Sequence, residues 1–122
     1  MNTLNDIDAI DQAARISSGE VSAREMVLAA IAQAEHLNSH VNAIIHPRFE
    51  RALAEADAGL PSGPFTGVPL VLKDLGAPLA GEPHHMGTRF LKKEKFIAAS
   101  SSYLTQRFLR AGFVVIGRTN TP

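Results

Sequence analysis

Apolar residues recur with helical spacing through the first third of the chain. A helix ending near Gly19 is predicted by an apolar series three or four residues apart: Leu4, Ile7, Ile10 and Ala14. Ser22 and Glu25 have the spacing of a capping box, which predicts the start of a second helix. An apolar stripe follows it: Val27, Ala30, Ile31 and Ala34. The second helix is therefore predicted to pack one face against a core.

The remainder of the chain predicts short strands separated by helices. Residues 41–45 predict a strand, and Pro47 predicts the start of a helix that runs to about Asp57. After a loop rich in Gly and Pro at 58–68, apolar runs at 68–74 and 113–116 predict two buried strands. Between them, the serines at 100–102 predict the cap of a helix that ends at Gly112. We therefore expect an α/β fold in which N-terminal helices precede a βαβ unit with a parallel or mixed sheet.

Charge and composition exclude several classes of partner. The chain of 122 residues has 12 basic and 12 acidic side chains, so its net charge gives no basis for binding nucleic acid or an anionic membrane. It has no cysteine, which excludes disulfides, thiolate zinc sites and cysteine nucleophiles. The acidic N-terminus does not resemble a signal peptide, and the longest apolar stretch, 27–32, is too short to cross a bilayer. We expect a cytoplasmic protein.

Lys73 is the main candidate for chemistry. It follows the apolar residues at 69–72, at the predicted carboxyl end of a strand, where α/β folds place ligands. Burial at that position would lower the pKa of the ammonium group and make the lysine a usable general base. Position alone leaves an alternative open, in which Lys73 extends into solvent or pairs with Asp74 on the surface.

The other polar residues predict neither a metal nor a cofactor. His84 and His85 lie near Glu82, but adjacent residues of an extended segment point to opposite faces, and no further ligand pair has suitable spacing. The other histidines are interpreted as solvated or capping residues: His36, His40 and His46. The glycines match neither a phosphate-binding loop nor a dinucleotide fingerprint. The serines at 100–102 are explained by helix capping.

Three segments in order resemble the N-terminal part of the amidase signature family. They are GPFTGVPLVLKD at 63–74, Gly87-Thr88, and RAGFVVIGRTNTP at 110–122. The two N-terminal helices and the Asn42-Ala43 segment are similar to the opening of that family. The resemblance implies an incomplete amidase signature fold, with residues 1–122 as the N-terminal part of one amidase domain. Residues 1–60 would be a mainly helical lead-in, and 61–122 would begin the catalytic sheet.

The resemblance also implies a function, the hydrolysis of a small-molecule amide by a Ser-Ser-Lys triad. Lys73 matches the family lysine, which would act as general base and acid while a serine forms an acyl-enzyme. Asp74 is implied to support Lys73. A segment near the substrate cleft is implied at Met86, Gly87 and Thr88. The family's two catalytic serines lie in a glycine-serine segment that would follow Pro122, so we expect a truncated part of a longer hydrolase that is inactive alone.

Two alternatives to a hydrolase stay open at this point. The chain could be a truncated, non-catalytic binding or assembly module, or part of the amidase subunit of a tRNA-dependent amidotransferase. The apolar strands predicted at 69–73 and 113–116 would leave unpaired edges without further strands of the family's sheet. We therefore expect self-association, as in a homo-oligomer, or a covering partner.

Overall fold

The first half of the chain is mainly helical, and side-chain caps set the starts of its first two helices. The computed structural model describes residues 3–122. After a 3-10 turn at Thr3–Asn5, the helices are α1 (Ala9–Ser17), α2 (Ala23–Val41) and α3 (Phe49–Ala58). At the start of α2, Ser22 Oγ accepts the Glu25 amide at 3.1 Å, and Glu25 Oε2 accepts the Ser22 amide at 2.8 Å. The predicted capping box is therefore confirmed.

The first helix is shorter than its apolar spacing predicts. Asp8 caps the start of α1, because its Oδ1 accepts the Asp11 amide at 2.9 Å. This cap separates α1 from the preceding 3-10 turn, although Leu4 and Ile10 have the spacing of one helix. Spacing alone does not reveal such a break.

The strand predicted at 41–45 is wrong in position. Helix α2 continues through Val41 and ends at Asn42, whose backbone is left-handed with φ 47°, so strand β1 spans Ile44–Pro47. The Asn38 side chain fixes this turn, because it accepts the Ile44 amide at 2.7 Å and donates to the Ile44 carbonyl at 2.9 Å. Pro47 therefore ends a strand, and α3 starts two residues later than its predicted first turn.

The sheet has three strands in the described part of the chain. They are β1 (Ile44–Pro47), β2 (Pro69–Lys73) and β3 (Val114–Thr119), in the order β1-β3-β2. Strand β3 pairs in parallel with β2 and antiparallel with β1. The predicted α/β class and the parallel pair are confirmed, and the sheet is mixed. The partner of β1 was not predicted from the sequence.

Two short helices occupy the connection between β2 and β3. Helix α4 (Arg89–Lys93), which was not predicted from the sequence, is capped by Thr88, and α5 (Tyr103–Arg110) is capped by Ser102. Gly112 follows α5 with φ 97°, as predicted for a helix terminator. No helix within residues 3–122 is both long enough and apolar enough to cross a membrane.

Strand β3 separates two apolar clusters. On one face, α2 and α3 contribute to a cluster made of Val27, Ile31, Ala52, Val114 and Ile116. On the other face, the cluster consists of Leu72, Ala77, Leu79 and Val115. The prediction of a buried strand is therefore confirmed for the apolar part of β3. It is only half correct for β2, since Leu72 is buried but Val71 is 39% exposed.

Candidate functional site

Lys73 lies where the sequence predicted it, at the carboxyl end of β2. Its neighbour across the parallel pair is Thr119, the last residue of β3. The carboxyl ends of β2 and β3 therefore meet at one edge of the sheet, the usual place for ligands in α/β folds. The Lys73 side chain is exposed in the described chain, so the burial considered for it is not found. Its catalytic role stays a prediction.

Asp74, directly after Lys73, is fully buried. Its backbone amide donates to the Thr119 carbonyl at 3.0 Å, which extends the pairing of the two strands by one residue. Its Oδ1 accepts the His85 amide at 3.1 Å and the Arg118 Nε–H at 3.3 Å. Asp74 therefore joins β2, β3 and the segment around His85 at one corner, which we call the Asp74 corner.

Arg118 is the cationic centre of the Asp74 corner and is 1% exposed. Besides its ion pair with Asp74, it donates from Nη1 to the Ala77 carbonyl at 2.7 Å and from Nη2 to the Lys73 carbonyl at 2.7 Å. It thus fixes the main chain on both sides of Asp74. Sequence reasoning missed Arg118. The available signal was an arginine two residues after the apolar run at 113–116, because a guanidinium that continues a buried strand needs a carboxylate partner.

His84 is enclosed against Arg118. Its Nδ1 lies 2.8 Å from Arg118 Nη2, and since arginine has only donors, His84 Nδ1 must accept this hydrogen bond. Burial lowers the pKa of His84 below 6.5, and the nearby Arg118 charge lowers it further. A neutral imidazole with its proton on Nε2 satisfies this arrangement.

His46 is not the solvated or capping residue predicted from the sequence. It lies on β1, directly opposite Arg118, and its ring packs edge to face on the ring of His85 with centroids 4.6 Å apart. Its Nε2 is 3.7 Å from Asp74 Oδ2, too far for a hydrogen bond. Burial lowers the pKa of His46, although the Asp74 carboxylate partly opposes this effect. The pairing of β1 with β3 brings this histidine to the site.

A cavity of about 260 Å³ opens beside the Asp74 corner. It is lined by Asn42, Ile45, His46, Asp74, His85, Gly87, Thr88, Arg89, Lys92 and Asn120. The cavity thus includes Gly87 and Thr88, which the resemblance placed near a substrate cleft; Met86 is exposed beside them. Within residues 3–122, no group of three His, Cys, Asp or Glu side chains is arranged to hold a metal ion.

A larger cavity of about 550 Å³ lies between α1 and the loop at 60–66. Its lining residues include no titratable side chain. The smaller cavity beside the Asp74 corner is therefore the better candidate for chemistry, despite its size.

Comparison with known proteins places this arrangement in a family. The sequence profile of the family described as Amidase matches residues 25–122. The chain is 42% identical over 115 residues to the 6-aminohexanoate-cyclic-dimer hydrolase of Paenarthrobacter ureafaciens, covering 94% of this chain and 23% of that protein. It is 35% identical over 127 residues to a glutamyl-tRNA(Gln) amidotransferase subunit from Streptomyces coelicolor, covering 98% of this chain and 25% of that protein.

A solved structure agrees with the sequence comparisons. The structure of 6-aminohexanoate cyclic dimer hydrolase matches with a TM-score of 0.88 at 40% identity, over 95% of this chain and 24% of that one. The chain therefore belongs to the amidase signature family, and its fold is part of the fold of that family. It spans about a quarter of the length of these relatives.

Proposed function

We propose that the complete protein hydrolyses the C–N bond of a small carboxylic amide, with Lys73 as general base and acid. The observation that carries this proposal is the position of Lys73. It ends β2 at the edge shared by the parallel strands, within the residues that match the family, and Arg118 holds its carbonyl. Asp74 has a supporting role, because it fixes the main chain immediately after Lys73.

The proposed reaction proceeds through an acyl-enzyme. Neutral Lys73 takes a proton, through a bridging serine, from the hydroxyl of a nucleophilic serine, whose oxygen then attacks the amide carbonyl carbon. The C–N bond breaks as Lys73 returns that proton, through the bridging serine, to the leaving amine. Lys73, neutral again, then takes a proton from water, whose oxygen attacks the ester carbonyl, and the same proton passes to the serine oxygen as the acid is released.

We place both catalytic serines outside residues 1–122. Ser102 and Ser101 are already engaged, since Ser102 caps α5 and Ser101 Oγ accepts the Ala80 amide at 2.9 Å. The 122-residue chain by itself then has no amidase activity, because it supplies the base without the nucleophile. The chain covers only about a quarter of each relative, which supports placing the serines in a part of the protein outside these residues.

The amidotransferase subunit is the second candidate, and it is favoured by a relative at 35% identity. The relative whose name describes a cyclic-dimer hydrolase is 42% identical over a similar length, which favours hydrolysis of a small or oligomeric amide. A non-catalytic assembly module is the third candidate. A cytoplasmic location and a homo-oligomeric state, both inferred from the sequence, remain proposals.

The test of the proposed function uses the complete protein and a panel of small amides that includes 6-aminohexanoate cyclic dimer. Lys73→Ala should lower kcat by about 100-fold to 10,000-fold with little change in substrate binding, as expected for loss of an acid–base group. Lys93→Ala is the matched control, because Lys93 is exposed on α4. Equal kcat for both variants would refute the role of Lys73. Turnover by the 122-residue chain alone, abolished by Lys73→Ala, would refute the placement of the serines.

A further inference from the structure

One nitrogen of Arg118 makes two hydrogen bonds, and one of them depends on the protonation state of a histidine. Arg118 Nη2 donates to the Lys73 carbonyl at 2.7 Å and lies 2.8 Å from His84 Nδ1. The two N–H groups of this nitrogen thus have one acceptor each. A protonated imidazole has no lone pair to accept with. The bond between Arg118 and His84 therefore exists only while His84 is neutral.

A proton on His84 would also change its partner. His84 Nδ1 lies 3.6 Å from Asp74 Oδ1, the same oxygen that accepts the Arg118 Nε–H at 3.3 Å. A protonated His84 would repel Arg118 and compete with it as a donor to Asp74. Burial lowers the pKa of His84 below 6.5, and the Arg118 charge lowers it further, so the accepting form predominates at neutral pH.

Two further imidazoles lie near this ion pair. His85 follows His84 directly and also lowers its pKa. His46 reaches the corner from β1, with its Nε2 3.7 Å from Asp74 Oδ2. The segment at 96–98, whose main chain pairs with the segment of His84, has no titratable side chain. The full charges that face His84 are thus those of the ion pair itself.

The end of β2 is the place where loss of the Arg118–His84 bond takes effect. Arg118 holds the Lys73 carbonyl with the same nitrogen, so a displaced guanidinium releases the main chain at Lys73. A displacement of about 1 Å of a catalytic group can cost about 100-fold in rate. Within residues 3–122, the lining of the cavity beside the Asp74 corner does not include His84. An effect of His84 on the rate therefore passes through Arg118.

We propose that His84 is a positioning residue that acts on Lys73 through Arg118. The neutral imidazole keeps Arg118 on the Lys73 carbonyl, and a proton on His84 releases it. The effect on the rate rests on the proposed function, because it requires Lys73 to be the base. The structural effect does not, since Arg118 fixes the end of β2 whatever the chemistry of Lys73.

The first test compares two His84 variants of the complete protein at pH 8. His84→Leu removes the acceptor, so kcat should fall by about tenfold with KM changed by less than about twofold. His84→Asn supplies Oδ1 as an acceptor in place of Nδ1 and should recover most of the lost rate. His36→Leu is the matched control, because His36 is exposed on α2. Equal kcat for the two His84 variants would overturn the proposal.

The pH profile separates positioning from packing, because the amide of the His84→Asn variant does not titrate. The ratio of parent kcat to His84→Asn kcat cancels the ionisation of Lys73, which occurs in both proteins. This ratio should be constant above pH 7 and should fall by at least about threefold by pH 5, as His84 of the parent gains a proton. A constant ratio down to pH 5 would overturn the proposal.

Amide hydrogen exchange of the complete protein tests the structural effect without catalysis. The Asp74 amide donates to the Thr119 carbonyl, in a peptide that spans 69–79. After correction for the intrinsic effect of pH, its exchange in the parent should be at least about tenfold faster at pH 5 than at pH 7.5. In His84→Asn it should change by less than about twofold.

The two assays distinguish failure of the proposed function from failure of the role of His84. Full activity of Lys73→Ala would refute the proposed function and leave the exchange difference in place. Equal exchange in the parent and His84→Asn at pH 5 would overturn the role of His84 and leave that of Lys73 intact.

Discussion

Asp74 and Arg118 are charged side chains enclosed together at the end of the sheet. Neither is stable there alone, because an unpaired buried charge typically costs about 3–5 kcal/mol. Their pairing is supplemented by bonds from Arg118 to the carbonyls of Lys73 and Ala77. The pair therefore makes the position of Lys73 depend on a residue of the neighbouring strand.

His46 and His84, two of the three histidines at the Asp74 corner, make stability sensitive to mild acid. Burial lowers the pKa of His46 and His84 from 6.5, so below pH 6.5 the unfolded chain binds more protons than the folded chain. Their contribution is complete above pH 6.5 and is lost as the pH falls toward the folded-state pKa values. We expect the free energy of unfolding, measured with urea, to decrease as the pH is lowered from neutral.

A pair of histidine variants tests this assignment. His46→Phe should reduce the dependence of unfolding free energy on pH, whereas His40→Phe should leave the contribution of the buried histidines in place. A free energy that stays constant or increases on mild acidification would contradict the expectation.

Single residues of the site differ in how far they could be predicted from the sequence. Lys73 and Asp74 lie in a continuous motif next to an apolar strand, so local pattern was sufficient to find them. Arg118 bonds to Asp74 across 44 positions of the chain, and His46 reaches the site through the pairing of β1 with β3. Such contacts depend on strand order, which the local pattern does not contain.

At the level of elements, the loop before β2 is held against the end of α5. Phe65 N donates to the Ala111 carbonyl, and Gly67 N donates to the Gly112 carbonyl, each at 2.9 Å. Gly112 has φ 97°, and a Cβ atom there would lie 2.5 Å from Thr66 Cα. Only a residue without a side chain allows this close approach.

Gly112→Ala and Gly19→Ala form a matched pair for testing this contact. Both glycines have positive φ, but a Cβ at Gly19 meets nothing within 4 Å. Gly19→Ala should cost about 1 kcal/mol of backbone strain, and Gly112→Ala should cost at least about 2 kcal/mol more because of the clash. Urea unfolding measures both values. Equal destabilisation would show that the loop does not pack on Gly112 as described.

Elements with strong local signals were predicted well, and those set by tertiary contacts were not. The capping box of α2 and the termination of α5 at Gly112 rest on adjacent residues and are confirmed. The start of β1 was misplaced because α2 continues to Val41 and the Asn38 side chain then fixes the backbone of Ile44. Helix α4 was missed, since its five residues are too few for a periodic apolar pattern.

For the whole molecule, the sheet order leaves β2 with one partner strand in the described chain. Exposed apolar residues accompany that edge, with Val71 39% and Leu75 49% exposed. An edge strand of this kind is a template for pairing with another chain. We expect the 122-residue chain to self-associate, with a sedimentation coefficient that rises with protein concentration.

Val71→Lys should reduce this association, because a charge on an edge strand opposes pairing. Ile10→Lys is the matched control, since Ile10 is 70% exposed on α1 and lies outside the sheet. Equal effects of the two substitutions would indicate general hydrophobic association, and a monomer at all concentrations would contradict the expectation.

The bonds from Arg118 to Lys73 and Ala77 can form only late during synthesis of the chain. They span 45 and 41 positions, so β2 leaves the ribosome well before the arginine that fixes its end. Until β3 has been made, β2 has no partner strand in the described chain, and Asp74 has no counter-charge from Arg118. The nascent chain therefore carries its candidate base on an unfixed segment, and the geometry of the Asp74 corner is completed only late in translation.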